Sequence, residues 1–585
     1  MRVAVVAGTG GSALLCELAE DGSRPDDPVH VNDLSAAVAH YERCGQVRWV
    51  WASGAASYPA LLRAGQRVAR CHDVALAGRL LVGRDGQARA DGQPGGAVTG
   101  PAPDRAASQA AQETLFEPAD AAPPDLAGLL DALVTTHADQ LRRIAADEHP
   151  ARFALLVAAE SAGGLVAAEM TSAGLPWRAD VHDSLLAGLL GPRPPSVPAG
   201  ARPARLAELA AQIDEAFGGR RVNPDSPGQL IRAFAADGVR VPSTRFSVLR
   251  DVDHPAARLL IEYKELARLH AANGWAWLDS WVSGGRFRPE YVVGGVVSGR
   301  WASRGGGALQ IPKVLRRAVV ADPGWVLVVA DAAQLEPRVL AALAGDRAFA
   351  EAAAGGDLYL ALAGAFGGDR AKAKVALLSA MYGGAGGEAG QLLSVLRKRF
   401  PLASQYVEAA ARAGQEGHVV RSVLGRTCPP PSAAWRAITE ESGDPDGERD
   451  PGAGAASRAR GRFTRNFVVQ ASAADWALVL LAGLRRRLAL ISVPNEPAVA
   501  SLPPQASAAS VAGATRIAGA ARIAGPHLVL FQHDEVIVHC PEPVVDAVLA
   551  AIGEAGEEAG RLVFGATPVR FPLTTAVVSC YGNAK

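Results

Sequence analysis

The sequence predicts an α+β chain built as several domains, and three observations carry that prediction. A chain of 585 residues can bury more than one core, which suits two to four domains. Two well-separated stretches, residues 325–330 and 528–538, are apolar and β-branched and read as buried strands. Between them, DRAKAKVALLSAMYGG has the period of a helix.

The later strand pair reads LVLFQHDEVIVHCPE, with residues 528–531 and 536–538 flanking His533-Asp534-Glu535 at the turn. Two adjacent carboxylates repel and lose solvation, so they are most easily tolerated beside a cation. A surface hairpin with an acidic turn is the alternative. The earlier strand ends at Asp331, after which Gln334, Glu336 and Arg338 lead into an apolar helical stretch. Magnesium takes hard oxygen ligands, often one or two carboxylates plus substrate phosphates. Asp331 and Asp534 on neighbouring strands are therefore candidates to hold two Mg²⁺ ions.

In the helix, Arg370, Lys374, Leu378 and Tyr382 recur every four residues and share one face. Two cations and an aromatic in a stripe suit a nucleoside triphosphate, with charge on the phosphates and a ring near the base. A solvated basic face is the alternative for this segment alone.

Together these segments resemble the family A DNA polymerases, of which bacterial DNA polymerase I is the type, over roughly residues 150–585. The string from Asp331 through Gln334, Glu336 and Arg338 resembles the family's first catalytic motif. Arg370, Lys374 and Tyr382 resemble its nucleotide-binding helix, and His533-Asp534-Glu535 its last motif. SGRWAS with Arg300, and RFTRNFVVQASAAD with Arg462, Asn466 and Gln470, resemble segments that follow primer and template. NPDSPGQL, IEYKELARL and the closing FPLTTAVVSCYG add thumb-like and palm-like matches.

The resemblance implies a right-hand architecture: an antiparallel palm sheet with helical fingers and thumb, preceded by a small α/β exonuclease-like domain. The implied layout is an exonuclease-like domain at 1–84, a linker at 85–125 and the polymerase at 126–585. Within the polymerase the thumb falls near 150–290, the palm near 291–345 and 460–585, and the fingers near 346–440. It also implies template-directed addition of dNTPs to a primer 3′-OH. By position, Asp331 and Asp534 would be the metal ligands, and Arg370 and Lys374 would grip the triphosphate. Glu336 would exclude a ribose 2′-hydroxyl, and Tyr382 would sit by the templating base. Gln334, Leu378, Tyr359, His533 and Glu535 would complete the nucleotide site. Arg300, Arg462, Asn466 and Gln470 would contact DNA, with Arg300, Asn466 and Gln470 reading pairing geometry through minor-groove acceptors that are nearly alike on every correct pair.

Several positions depart from the family pattern. Leu378 stands where an aromatic usually stacks on the sugar, and Tyr359 where a His often meets the phosphates. Leu377 and Ser379 replace the usual Asn and Gly, Pro337 interrupts the first motif, and the connection from Tyr359 to Arg370 is short. No metal ligand or triphosphate cation is lost, so altered nucleotide affinity with retained activity is expected. Two alternatives remain open: a catalytically impaired polymerase-like protein that binds primer-template DNA, and an RNA-synthesising relative, against which Glu336 and Glu535 argue.

The N-terminal region is less informative. YPALLRAGQRVARCHDVALAGRLL resembles a late exonuclease segment, with Asp73 at a plausible position. The first strand, RVAVVAGTGG, carries no acid, and one carboxylate cannot hold two ions, so proofreading is expected to be absent. Gly8-Thr9-Gly10-Gly11-Ser12-Ala13 formally fits a dinucleotide fingerprint, but a turn after a structural strand is the stronger reading.

A net charge of zero gives no support for a nucleic-acid partner, although charge can be polarised along a cleft. Six scattered cysteines without a C-x-x-C pair argue against a zinc site or disulfide scaffold and suit a reducing cytosol. No signal peptide or membrane-length apolar run is evident, so a cytoplasmic, nucleoid-associated monomer is expected. The bias to Ala, Arg and Gly is that of a GC-rich bacterial genome. The family's 5′-nuclease domain has no room here, which implies a separate 5′-nuclease and ligase as partners. Low-complexity stretches at 85–125, 443–461 and 493–526 read as a linker, a loop and an insertion.

Overall fold

The computed structural model describes residues 1–86, 125–194, 202–383, 388–440, 451–493 and 525–584. Most of the 85–125 and 493–526 stretches lies outside the described residues. The chain divides into two compact units. The first comprises Met1–Ala173, Glu290–Ala302 and Val328–Ala576, and the second Gly174–Pro289, Ser303–Leu327 and Val577–Lys585.

The first unit opens with five strands, β1 (Arg2–Ala7), β2 (Ala13–Leu18), β3 (Val29–Val31), β4 (Arg48–Trp51) and β5 (Arg70–Asp73), in the order β3-β2-β1-β4-β5. β1 pairs antiparallel with β2 and parallel with β4. The glycine-rich segment is thus the turn of a hairpin, with Gly10 at φ 65°. A dinucleotide site needs a helix and a parallel strand after β1, so the turn reading stands. Asp73 ends β5 and is 2% exposed. Its Oδ1 accepts the Leu76 N–H at 2.9 Å, capping the helix Val74–Arg84, and its Oδ2 accepts the Gly54 N–H at 2.7 Å. Both oxygens are spent on backbone amides.

Helix α1 (Pro150–Ala173) ties this sheet to the rest of the unit. Its Glu169 meets Arg485 at 2.6 Å, Arg67 at 2.5 Å and the Tyr58 hydroxyl at 2.6 Å, all on buried or half-buried side chains. Burial alone would raise the Glu169 pKa, but Arg485 and Arg67 outweigh it and hold the carboxyl at about 2. One turn-set earlier, Glu160 pairs with the buried Arg426 at 2.8 Å, and Arg426 with Asp475 at 3.0 Å. Gly163 allows close approach, since a Cβ there would lie 2.9 Å from Leu478.

The strand that bears Asp331 is β6 (Trp325–Ala332), continued by helix α2 (Leu335–Ala344). Pro337 does not break α2, because in the first helical turn its missing N–H would have had no partner. Helices α3 (Leu358–Ala363) and α4 (Arg370–Tyr382) follow, each capped by an aspartate, Asp357 and Asp369. Helix α5 runs 38 residues, Pro451–Leu488. The sequence reading of a loop over 443–461 therefore fails for 451–461, where an Ala-rich run after a proline favours helix; 441–450 lie outside the described residues. Strands β7 (His527–Gln532) and β8 (Glu535–Pro541) form an antiparallel hairpin, and β9 (Leu573–Val578) completes a sheet ordered β7-β8-β6-β9.

The expectation that no apolar run has membrane length also needs correction. Helices Pro150–Ala173 and Gly452–Leu488 are long and apolar enough by length and composition, but 67% and 89% of their most apolar windows are buried within the fold. They are packed as core helices.

The second unit contains helices Ala179–Leu190, Ala204–Ala216, Pro255–Asn273 and Trp275–Trp281, and a cluster of Trp177, His182, Trp277 and Phe287 with contacting ring centroids 4.8–5.6 Å apart. Gly305, at φ 68°, lies so close to Trp281 that a Cβ would sit 1.8 Å from its ring. All six cysteines of the chain are free thiols.

Candidate functional site

Strand β6 carries Asp331 to the edge of the sheet interior, and the β7–β8 turn delivers Asp534 beside it. His533 takes the left-handed conformation, φ 58°, needed to close a two-residue turn in which Gln532 pairs with Glu535. The Ala332 amide donates to the Asp534 carbonyl at 3.0 Å. The Asp534 carboxyl titrates at about 6, raised first by burial and then by the charge of Asp331. A half-buried carboxyl whose ionisation a neighbouring carboxylate opposes marks a hard-oxygen pocket that a divalent cation would relieve. Glu535 begins β8 and is 5% exposed. Among the described residues no group of three or more His, Cys, Asp or Glu is placed to hold a metal. The residues thus fit magnesium bound by two carboxylates with further oxygens from substrate, and do not form a closed protein cage.

Glu336, in the first turn of α2, is held from two sides. Arg300 forms an ion pair with one carboxylate oxygen, and the Tyr382 hydroxyl donates to the other. Burial and this carboxylate push the Tyr382 phenol pKa up, and Gln470 of α5 bonds to the same phenol. His533 is close enough for Arg300 to lower its pKa, after burial, while Glu336 raises it. Arg300, Glu336, Tyr382, Gln470, His533, Asp331 and Asp534 therefore surround one region.

Arg462, Asn466 and Gln470 succeed one another every fourth residue on α5. The Arg462 side chain lies against Gly383, where a Cβ would meet it at 3.4 Å. Asn466 Oδ1 is buried with no hydrogen-bond partner among the described residues. An orphaned buried acceptor is costly unless something else meets it.

The face of α4 carries Arg370, Lys374 and Leu378 in the predicted order, with Lys374 exposed and Leu378 half-buried. Arg370 is engaged: its Nε donates to Asp357 at 2.7 Å, and its guanidinium lies over the Tyr359 ring, 5.4 Å from the centroid. Gln334 also turns to Asp357, donating from Nε2 at 2.7 Å. The sequence reading placed Gln334 among nucleotide contacts and did not single out Asp357, which caps α3.

Arg338 is fully buried. It donates to the carbonyls of Ala333 at 3.0 Å, Ala353 at 2.5 Å, Gly355 at 3.1 Å and Arg570 at 3.0 Å, and to that of Gly356. It staples the loop before α3 to α2.

Residues 201–577 match the family model described as DNA polymerase family A, and the chain belongs to that family. It is 25% identical over 341 residues to the thermostable DNA polymerase I of Thermus filiformis, covering 52% of this chain and 34% of that protein. It is 26% identical over 330 residues to DNA polymerase I of Chloroflexus aurantiacus, covering 48% and 33%. The matched region spans about a third of these relatives' length. Among solved structures, the POL domain of Pol1 from M. smegmatis, in complex with DNA primer-template and dNTP, superimposes with a TM-score of 0.66 at 19% identity. That match covers 100% of this chain and 96% of that domain. The α+β polymerase fold expected from the sequence is the fold observed.

Proposed function

We propose that the chain is a template-directed DNA polymerase that adds dNTPs to a primer 3′-OH with two magnesium ions. The observation that carries this is the meeting of Asp331 and Asp534, close enough for the charge of Asp331 to raise the Asp534 pKa, in a chain whose α4 presents Arg370 and Lys374. Bound there, the ions would activate the 3′-oxygen and neutralise phosphate charge. Arg370 and Lys374 bind the triphosphate and stabilise charge developing on the departing pyrophosphate, an effect worth roughly a hundred- to thousandfold in rate per contact. Glu336, fixed by Arg300 and Tyr382, occupies the space of a ribose 2′-hydroxyl and favours dNTP by clash. Tyr382 and Leu378 line the base and sugar side. Arg462, Asn466 and Gln470 track the duplex, and the Asn466 amide meets the minor groove of the terminal pair.

The hand is assigned as in the sequence reading, with a thumb near 150–290, fingers near 346–440 and a palm built on the β7-β8-β6-β9 sheet. Proofreading is absent in this reading: β1 has no acid, and Asp73 is consumed as a cap. Gap filling in repair or replication, as a cytoplasmic, nucleoid-associated monomer working with a separate 5′-nuclease and ligase, completes the proposal.

Primer extension with Mg²⁺ and dNTPs, wild type beside Asp534→Ala, tests it. Extension by wild type and none by the variant is expected. No extension by wild type despite tight primer-template binding would overturn it in favour of an impaired, DNA-binding relative.

A further inference from the structure

Helix α3 begins at Asp357, and one oxygen of that carboxylate does the capping. Its Oδ1 accepts the Leu360 N–H at 3.1 Å and the Gln334 Nε2–H at 2.7 Å. The second oxygen, Oδ2, is left to face α4, where it accepts from Arg370 Nε at 2.7 Å. Tyr359, two residues on, supplies the ring beneath the same guanidinium. Arg370 is thus fixed along one edge and on one face. A guanidinium engaged through Nε keeps both Nη groups for another acceptor, and neither has a hydrogen-bond partner among the described residues.

The position of Asp357 is itself set by the strand that bears Asp331. Gln334, three residues beyond Asp331, sits at φ 57°, a left-handed conformation uncommon for a side chain of its size. From there its Oε1 accepts the Leu358 N–H at 2.8 Å while its Nε2 reaches Asp357. Arg338 fixes the carbonyls of Ala353, Gly355 and Gly356 just before it. The loop from 353 to 358 is consequently registered to α2 by two side chains of the first motif.

We propose that Asp357 is a positioning residue that orients Arg370 to present both Nη groups to the γ-phosphate end of the incoming nucleotide, with Gln334 and Arg338 fixing Asp357 relative to Asp331. The inference rests on the polymerase reading above. It also gives Tyr359 a role: a phosphate-binding His is replaced by a ring that supports the cation. Simple electrostatics predicts the opposite sign. A carboxylate beside a triphosphate repels it, so an Asp357 that did nothing for Arg370 would tighten nucleotide binding when neutralised.

Asp357→Asn makes the distinction cleanly. The Asn oxygen still accepts from Leu360 and Gln334, preserving the cap, while its NH₂ faces Arg370 and cannot accept from Nε. The measurements are the dNTP Kd on a dideoxy-terminated primer-template complex, steady-state KM and kcat, and KM for pyrophosphate in the reverse reaction. Orientation losses of this kind predict a rise of about tenfold in dNTP Kd and KM and in pyrophosphate KM, with kcat within about threefold. Asp357→Glu should recover part of the loss. Unchanged or tighter nucleotide binding in Asp357→Asn, or a kcat loss without a KM change, would overturn the inference while leaving the polymerase reading intact. A wild-type protein that neither binds dNTP in this complex nor extends a primer sinks both.

Discussion

The backbone N–H of Ala332 donates to the carbonyl of Asp534 across 3.0 Å, joining the end of one acid-bearing strand to the turn that bears the other acid. The bond brings two carboxylates together in a half-buried site, and ionising Asp534 there costs stability in the metal-free protein. With a pKa raised from 3.8 to about 6, Asp534 binds its proton more tightly folded than unfolded. Stability therefore falls as pH rises through 4 to 6, and the penalty is fully present above that range. Metal-free Asp534→Asn should be more stable than wild type at pH 7.5 by about 1–3 kcal/mol. The difference should vanish below pH 4. Urea unfolding in EDTA at both pH values checks it, and equal stabilities at pH 7.5 would refute it.

Sugar selectivity should depend on the clamp around Glu336 as well as on Glu336. Glu336→Ala opens the space assigned to the 2′-hydroxyl. Tyr382→Phe deletes one of the two donors that hold the carboxylate. Both variants should raise the rNTP-to-dNTP incorporation ratio, Glu336→Ala by about a hundredfold and Tyr382→Phe by about tenfold. Single-nucleotide incorporation kinetics with matched dNTP and rNTP give the ratio directly; no change in either variant removes the gate assignment.

Leu378 is half-buried on the face of α4 that carries Arg370 and Lys374, and a larger ring there can stack where leucine cannot. Leu378→Phe should lower the apparent KM for dNTP by about three- to tenfold, the scale of an added aromatic contact. Unchanged or weaker dNTP use in steady-state kinetics counts against the assignment.

The Glu169–Arg485 pair joins α1 to α5, and the N-terminal strands reach it through Arg67, Tyr58 and the carbonyls of Val68 and Ala69. Removing one partner leaves a buried charge unmet, so Glu169→Gln or Arg485→Met should cost about 3–5 kcal/mol in urea unfolding. Because the folded Glu169 pKa is depressed to about 2, its contribution is present above pH 4.5 and is lost as pH falls toward 2. A loss below about 1 kcal/mol would mean that the pair is replaceable.

Much of the site was legible in the sequence because its residues sit at fixed spacing on single elements. Asp331 at a strand end, the four-residue stripe of α4 and the acidic turn at Asp534 follow from strand and helix periods, whereas Arg462, Asn466 and Gln470 are marked by the family resemblance. Local chemistry could not tell which polar groups those residues would meet. Nothing in the sequence singles out Asp357, which becomes the partner of Arg370 only when α3 and α4 fold together. Gln334 reads as a nucleotide contact, and the structure adds that its side chain bonds the loop before α3. Glu336 gains its two donors from segments far away in the chain. The local pattern determined which chemistry the chain carries and on which elements. Tertiary structure decided which charge faces which, because ion pairs and buried hydrogen bonds depend on distances between elements that periodicity does not encode.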